Sequence, residues 1–245
     1  MNNDPSIDHT FGNLSVNSEQ RRANIRSVFD AVAPRYDLMN DLMSMGIHRI
    51  WKRVLARRVA QVFGSVVDLA GGTGDVARLL LHPQRNVMVC DPSIAMMEVG
   101  KRRPGNQNIT WLAGEAEQLP LPDASVDLLT VSFGLRNATQ LNRALAEVLR
   151  VLKPGGRFVC LEFSRPAWWF APFYDAYSFF VIPRLGAAVA GAPMAYQYLI
   201  ESIRRFPDQK GFATLMEQTG FSEIQWENLS FGIACIHIGS RRHES

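Results

Sequence analysis

The stretch Val66-Val67-Asp68-Leu69-Ala70-Gly71-Gly72-Thr73-Gly74-Asp75 constrains the fold of this chain more than any other. A short apolar run ends in a carboxylate, three glycines follow within four positions, and the amphipathic Val76, Leu79 and Leu80 resume at once. That order predicts strand, tight turn and helix. Glycine lacks a Cβ, so it enters positive φ freely and leaves backbone amides open to a ligand lying at the helix start.

The rest of the chain repeats the alternation. Apolar runs at Val66–Leu69, Val87–Cys90, Ile109–Leu112, Val126–Val131 and Arg157–Leu161 are separated by helical patterns around 75–81, 93–102 and 139–152. Runs joined in this way predict an α/β fold, a mostly parallel Rossmann-like sheet with helices on both faces. Lys153-Pro154-Gly155-Gly156 is expected to end one helix and open the fifth strand. A helix over Asp208–Thr219 closes at Gly220, and Glu223–Glu227 with Phe231–Ile238 predict an antiparallel hairpin at the sheet edge.

Before the first strand, residues 18–62 read as a helical segment broken at Pro34, with Ile47, Ile50, Trp51, Val54, Leu55, Val59 and Val62 on one face. Residues 1–17 read as a disordered tail. Residues 165–206, rich in Trp, Phe, Tyr and Ala, read as a helical cap inserted after the fifth strand. One domain over 18–245 is expected, which 245 residues at 47% apolar and 20% charged can support.

Composition removes several classes of function. A formal charge of +3 is spread among acids rather than gathered into a polybasic run, so no nucleic-acid partner is expected. Cys90, Cys160 and Cys235 each sit within an apolar β-like run, which predicts buried reduced thiols, neither a disulfide framework nor a metal site, in a cytoplasmic protein. The polar Met1–Asn17 has no basic-then-apolar order of a leader. Ala167–Ala192 is the longest apolar territory, but Asp175, Arg184, Pro172 and Pro183 interrupt it, so it does not read as a span, although it can rest on the inner membrane from one side.

The ligand of the glycine turn follows from charge. Gly72-Thr73-Gly74-Asp75-Val76-Ala77 fits the dinucleotide fingerprint, with Asp91 ending the next run. Asp68 and Asp75, however, bracket the place where a pyrophosphate would sit. Two like charges about 6 Å apart at an effective dielectric near 20 repel by roughly 3 kcal/mol. S-adenosylmethionine has no phosphate and carries an ammonium and a sulfonium, so it suits the acids better. Ligands of open α/β sheets lie beyond the carboxyl ends of the strands, which selects Asp91 for the ribose hydroxyls, Glu115 and Ala116 for the adenine edge, and Ser132 at the end of the fourth run.

The motifs then converge. Asp68 to Asp75, Ser132-Phe133-Gly134-Leu135-Arg136-Asn137, Leu152-Lys153-Pro154-Gly155-Gly156 and Tyr174-Asp175-Ala176-Tyr177-Ser178 resemble the ubiquinone/menaquinone biosynthesis C-methyltransferase family. Phe29 through Asp41 and Gly46 through Lys52 are similar to its N-terminal signature, and the likeness runs from about residue 25 to 241. The resemblance implies a class I methyltransferase fold of seven strands, mostly parallel with one antiparallel strand at the edge. It implies S-adenosylmethionine contacts on Thr73, Asp91, Glu115, Ala116 and Ser132, with Asp68, Gly71, Gly72 and Gly74 shaping the turn; Glu115 stands where members often carry Asn or Asp. The implied substrate is a prenylated demethyl-quinol, a benzoquinol or a naphthoquinol, whose ring is methylated in quinone biosynthesis.

Methylating an aromatic carbon requires an electron-rich ring, which a hydroquinone acquires when a ring hydroxyl loses its proton. Arg136 is expected to hold that phenolate and Asn137 to orient the ring or a water. Arginine stays protonated, so the proton acceptor is sought among Asp30, Asp37 and His48, with Tyr36 and Tyr177 flanking the ring. The aromatic cap, with Trp168, Trp169, Phe170, Phe173, Phe179 and Phe180, is expected to receive a prenyl tail and touch a membrane, or else to pack as ordinary helices or a homodimer contact. The competing readings are a nicotinamide-dependent oxidoreductase and a non-catalytic scaffold for other quinone-biosynthesis enzymes.

Overall fold

The computed structural model describes residues 10–11, 14–15, 18–32, 40–41, 44–177 and 193–243. Its centre is a seven-stranded sheet of β1 (Gly64–Leu69), β2 (Arg85–Asp91), β3 (Thr110–Ala113), β4 (Val126–Ser132), β5 (Leu152–Phe163), β6 (Phe221–Leu229) and β7 (Ala234–Arg241). The spatial order is β3-β2-β1-β4-β5-β7-β6. Pairs among the first five strands are parallel, whereas β7 runs antiparallel to both β5 and β6. The expected hairpin therefore forms that edge, with the reversed strand one place in and β6 outermost.

Side chains of the central strands alternate between two apolar cores, because successive residues of a strand point to opposite faces. Val67, Leu129, Val131, Phe158 and Cys160 pack with Leu145 and Val148 of α5 (Leu141–Val151) and with Phe212 and Met216 of α8 (Gln209–Thr219). Val66, Leu128, Val159 and Leu161 pack with Leu55 of α2 (Ile47–Arg58) and with Val76 and Leu80 of α3 (Asp75–Leu80). Burial on both faces is why these strands read as near-continuous apolar runs. The remaining helices are α1 (Ser18–Val32), α4 (Ile94–Lys101), α6 (Ala171–Ala176) and α7 (Pro193–Arg205).

Several local expectations need correction. Helix α5 ends at Val151 and β5 begins at Leu152, so Lys153-Pro154-Gly155-Gly156 belongs to the strand; Val126 pairs with Leu152 and Leu128 with Arg157, and the extra residues bulge from the ladder. Phe231 lies in a 3-10 turn at φ 60° rather than in the last strand. On α2 the buried stripe is His48, Trp51, Lys52 and Leu55, while Ile50 is exposed, which brings two basic side chains inward. In the expected disordered tail, Thr10–Phe11 pairs with Leu14–Ser15. Pro34, Tyr36, Asp37, Phe179 and Phe180 lie outside the described residues.

Candidate active site

Strand order reverses between β1 and β4, the switch point where open α/β sheets bind ligands beyond their carboxyl ends. A cavity open to solvent lies there. Gly72, Asp91, Glu115 and Ala116 line it, with Arg22, Ile25 and Arg26 of α1 forming one wall.

Asp91 is the best anchored of the expected contacts. Its carboxylate accepts the Gly72 amide on Oδ2 and the Ser93 amide on Oδ1, both at 2.8 Å. Burial pushes its pKa up to about 6, against the pull of those two donors. Ser93, not Asp91, caps α4, its hydroxyl oxygen accepting the Met96 amide. Glu115 is shared with α1, accepting from Arg26 Nη2 at 2.9 Å and lying 3.9 Å from Arg22.

Other members of the expected set face elsewhere. The Asp68 carboxylate is buried beneath the turn, accepting the Thr130 hydroxyl at 2.8 Å and the Ala77 amide at 3.1 Å, and burial pushes its pKa to about 7. A Cβ on Gly71 would stand 2.7 Å from Asp68 Oδ2, and one on Gly74 would stand 2.9 Å from the Trp111 ring. Those two glycines are required by packing of the turn, and Gly72 alone of the three lines the cavity. Thr73 is buried, with its carbonyl accepting Asn106 Nδ2 at 3.1 Å. Asp75 faces Arg103 at 3.1 Å, Arg78 at 3.4 Å and Lys52 at 3.5 Å. Asp68 and Asp75 thus do not line this cavity; the charged side chains on its wall are Asp91, Glu115 and Glu117 with Arg22 and Arg26. Ser132 does not line the cavity; its Oγ is buried without a hydrogen-bond partner among the described residues.

A second cavity adjoins the first, and among the described residues Phe133 is common to both linings. It is mostly apolar and aromatic, with Trp51, Phe163, Phe170, Phe173, Tyr174 and Tyr177, and the polar exceptions include His48 and Arg136. Phe133 adopts φ 57°, unusual for a bulky residue, with its ring 4.7 Å from that of Phe163 and 6.0 Å from that of Trp51.

Arg136 sits in the 3-10 turn Leu135–Asn137 after β4. Its Nη1 donates to the Phe133 carbonyl and to Glu162 Oε2, the latter at 3.2 Å, and its guanidinium lies 5.6 Å from the Phe163 ring centroid. Its Nε is buried without a partner among the described residues. Burial pushes the Glu162 carboxyl up despite the adjacent cation.

His48 is buried in the wall of this cavity, with Nδ1 2.7 Å from Ser44 Oγ and Nε2 3.9 Å from Asp41 Oδ1. Desolvation, aided by Lys52, lowers its pKa to about 4, so the imidazole is neutral at physiological pH. Asp30 does not join it: its Oδ1 accepts the Ser93 hydroxyl at 2.6 Å, beside Asp91 at the other cavity. Asn137 also belongs to that cavity, its Oδ1 accepting the Tyr198 hydroxyl at 3.0 Å.

A family model described as the ubiE/COQ5 methyltransferase family matches residues 15–241. The chain belongs to that family. This methyltransferase is 60% identical to the ubiquinone/menaquinone biosynthesis C-methyltransferase UbiE of Rubrivivax gelatinosus, over 98% of this chain and 96% of that one. It is 43% identical to the mitochondrial 2-methoxy-6-polyprenyl-1,4-benzoquinol methylase of Drosophila melanogaster, over 94% of this chain and 83% of that one. Among solved structures, a SAM-dependent methyltransferase from Thermotoga maritima superposes with TM-score 0.66 at 19% identity, covering 88% of this chain and 99% of that one. Haemonchus contortus phosphoethanolamine N-methyltransferase 2 in complex with S-adenosyl-L-methionine gives TM-score 0.57 at 12% identity, covering 79% and 52%. The fold of the methyltransferase is the class I arrangement anticipated from the motifs.

Two parts of the methyltransferase site escaped sequence reasoning. Glu162 is the last residue but one of β5, so the strand-end criterion that selected Asp91 reaches it as well. Ser44 precedes His48 by one helical turn, and a serine hydroxyl does not stand out as a proton acceptor.

Proposed function

We propose that this methyltransferase transfers the methyl group of S-adenosylmethionine to a ring carbon of a prenylated quinol, the step that completes ring methylation in ubiquinone or menaquinone biosynthesis. The observation that carries the reading is the meeting of two unlike cavities at Phe133, one walled by carboxylates and backbone, the other aromatic and holding a buried guanidinium. In the first, Asp91 suits the ribose, Ala116 and Glu115 the base, and Met96 and Leu69 the apolar faces of an adenosyl group.

When bound, the cofactor supplies an electrophilic methyl on a sulfonium. The protein must make the ring nucleophilic and hold it in line. Arg136, desolvated and with Nε unpaired, stabilises a phenolate more strongly than the same group would in water. Glu162 fixes the guanidinium plane. His48, neutral and in the same cavity, is favoured over Asp30 as the acceptor of the hydroxyl proton. Tyr174, whose hydroxyl burial pushes up to about 12, remains protonated and packs with Tyr177 and the phenylalanines to exclude water.

The cap favours contact with a bilayer. Trp168, Phe173 and Trp169 are 87%, 70% and 49% exposed, and Phe173 also lines the second cavity. Among the described residues no helix is long and apolar enough to cross a membrane, so the contact is peripheral, with the cavity mouth presented to the layer that dissolves the substrate. The deciding experiment incubates the protein with labelled S-adenosylmethionine and each reduced demethylquinone, benzoquinol and naphthoquinol, and identifies the product by mass spectrometry. A ring-methylated product is expected; absence of label from both quinols would refute the reading.

A further inference from the structure

We infer that Ser44 is a positioning residue that fixes the tautomer of His48, keeping the hydrogen on Nδ1 so that Nε2 is the nitrogen that takes the quinol proton. The inference rests on the function proposed above. The Ser44 hydroxyl donates to the Asn40 carbonyl oxygen at 2.7 Å. A hydroxyl has one hydrogen, and here it is spent. At 2.7 Å from His48 Nδ1 the same oxygen can therefore only accept, so Nδ1 carries the ring hydrogen. The backbone amide of His48 also donates to that oxygen, at 3.4 Å, as a second donor to one acceptor. A neutral imidazole has a single N–H, which leaves Nε2 bare.

The surrounding charges suit a proton that arrives and leaves. Asp41 Oδ1 lies 3.9 Å from Nε2, too far to take a hydrogen bond at rest and close enough to favour an imidazolium. Asp41 is itself held by Arg49, through two contacts of 2.6 Å. Lys52 and Arg49 oppose the protonated ring, and Asp75 supports it weakly. Arg136, Tyr174 and Tyr177 line the same cavity, and Ser44 and Asn40 also reach it. Arg136 in the same cavity lowers the cost of forming the phenolate whose proton Nε2 takes.

The step balances. The quinol O–H bond breaks, its electron pair stays on oxygen, and the proton joins Nε2. The ring carbon forms its bond to methyl as the methyl–sulfur bond breaks, the pair leaving with sulfur. The ring C–H proton then passes to water, aromaticity returns, and Nε2 gives its proton back to the oxygen, so one proton is released per turnover.

The test uses the full chain labelled with ¹⁵N-histidine. Long-range ¹H–¹⁵N spectra assign His48 by comparison with His48→Gln, and turnover is measured alongside. Expected are a pyridine-type Nε2 in the unsubstituted protein and a mixed or inverted tautomer in Ser44→Ala. Turnover number should fall at least about tenfold in Ser44→Ala with both KM values little changed, and Ser44→Thr should restore both tautomer and rate. An Nε2–H signal in the unsubstituted protein overturns the inference whatever the rate, as does undiminished turnover in Ser44→Ala or His48→Gln. Failure of the quinol reading shows separately, as an unsubstituted enzyme that methylates neither quinol.

Discussion

Arg136 and Glu162 meet at 3.2 Å with their side chains only 6% and 2% exposed, across the ends of neighbouring strands. A pair so far from water contributes little net stability, yet loss of one member leaves an uncompensated buried charge. Glu162→Ala and Arg136→Ala are each expected to lower the unfolding free energy by about 3–5 kcal/mol. The joint Arg136→Met, Glu162→Leu variant should regain most of that loss in urea denaturation and still bind the methyl donor, without turning over. A double variant as unstable as either single one would contradict this account.

Phe133 is held at φ 57°, a region that costs an L-residue about 1–2 kcal/mol. At ordinary positions glycine is less stable than alanine. Here the order should invert, with Phe133→Gly more stable than Phe133→Ala by about 1 kcal/mol. Both should lose turnover. Calorimetric melting of the two variants decides the matter, and alanine ranking above glycine would argue against backbone strain.

Asp68 titrates near 7 in the folded chain, because burial outweighs its hydrogen bonds from Thr130 and Ala77. Its ordinary value is near 3.9. Between those two values the folded state binds a proton that the unfolded state has released, so stability from this group is present at low pH and is lost as pH rises towards 7. Asn can keep both partners, with Oδ1 accepting from Ala77 and Nδ2 donating to Thr130. The difference in stability between Asp68→Asn and the unsubstituted protein should therefore grow in favour of the variant from pH 5 to pH 8, by up to roughly 2.5 kcal/mol. The comparison with a variant is needed because His48, with its pKa lowered to about 4, contributes in the opposite sense below its ordinary value. A difference that stays flat with pH would mean that Asp68 is ionised throughout.

Among the described residues Trp168 is the most exposed of the large apolar side chains, and it lines neither cavity. Trp168→Ser with Trp169→Ser should reduce flotation with liposomes severalfold while leaving the rate on a short-tailed quinol in detergent intact. Trp226, 47% exposed on β6, serves as the control, because its replacement should change neither. Equal flotation of all variants would remove the cap from the membrane contact.

The sheet was legible because burial on both faces leaves apolar runs, and the helices between them carry their own period. Asp91, Glu115 and Ala116 were legible for a topological reason: Asp91 ends β2 and the other two follow the end of β3, and ligands of open α/β sheets lie beyond strand ends. The glycine turn was read less well. Sequence cannot distinguish a glycine that lines the cavity, Gly72, from Gly71 and Gly74, which admit Asp68 and Trp111. The roles of Asp30, Asn137 and Asp75 depend on which of two cavities each side chain faces, and only packing decides that. Glu162 stands 26 positions from its cation, and no local pattern links the two.

The wall shared by the two cavities is a phenylalanine, and a benzyl side chain has no atom able to carry a methyl group. Donor and acceptor must then be resident together, and the group passes between them in a single displacement. Initial-rate plots should intersect rather than run parallel. A donor bearing hydrogen, deuterium and tritium on the transferred carbon should deliver it with inverted handedness.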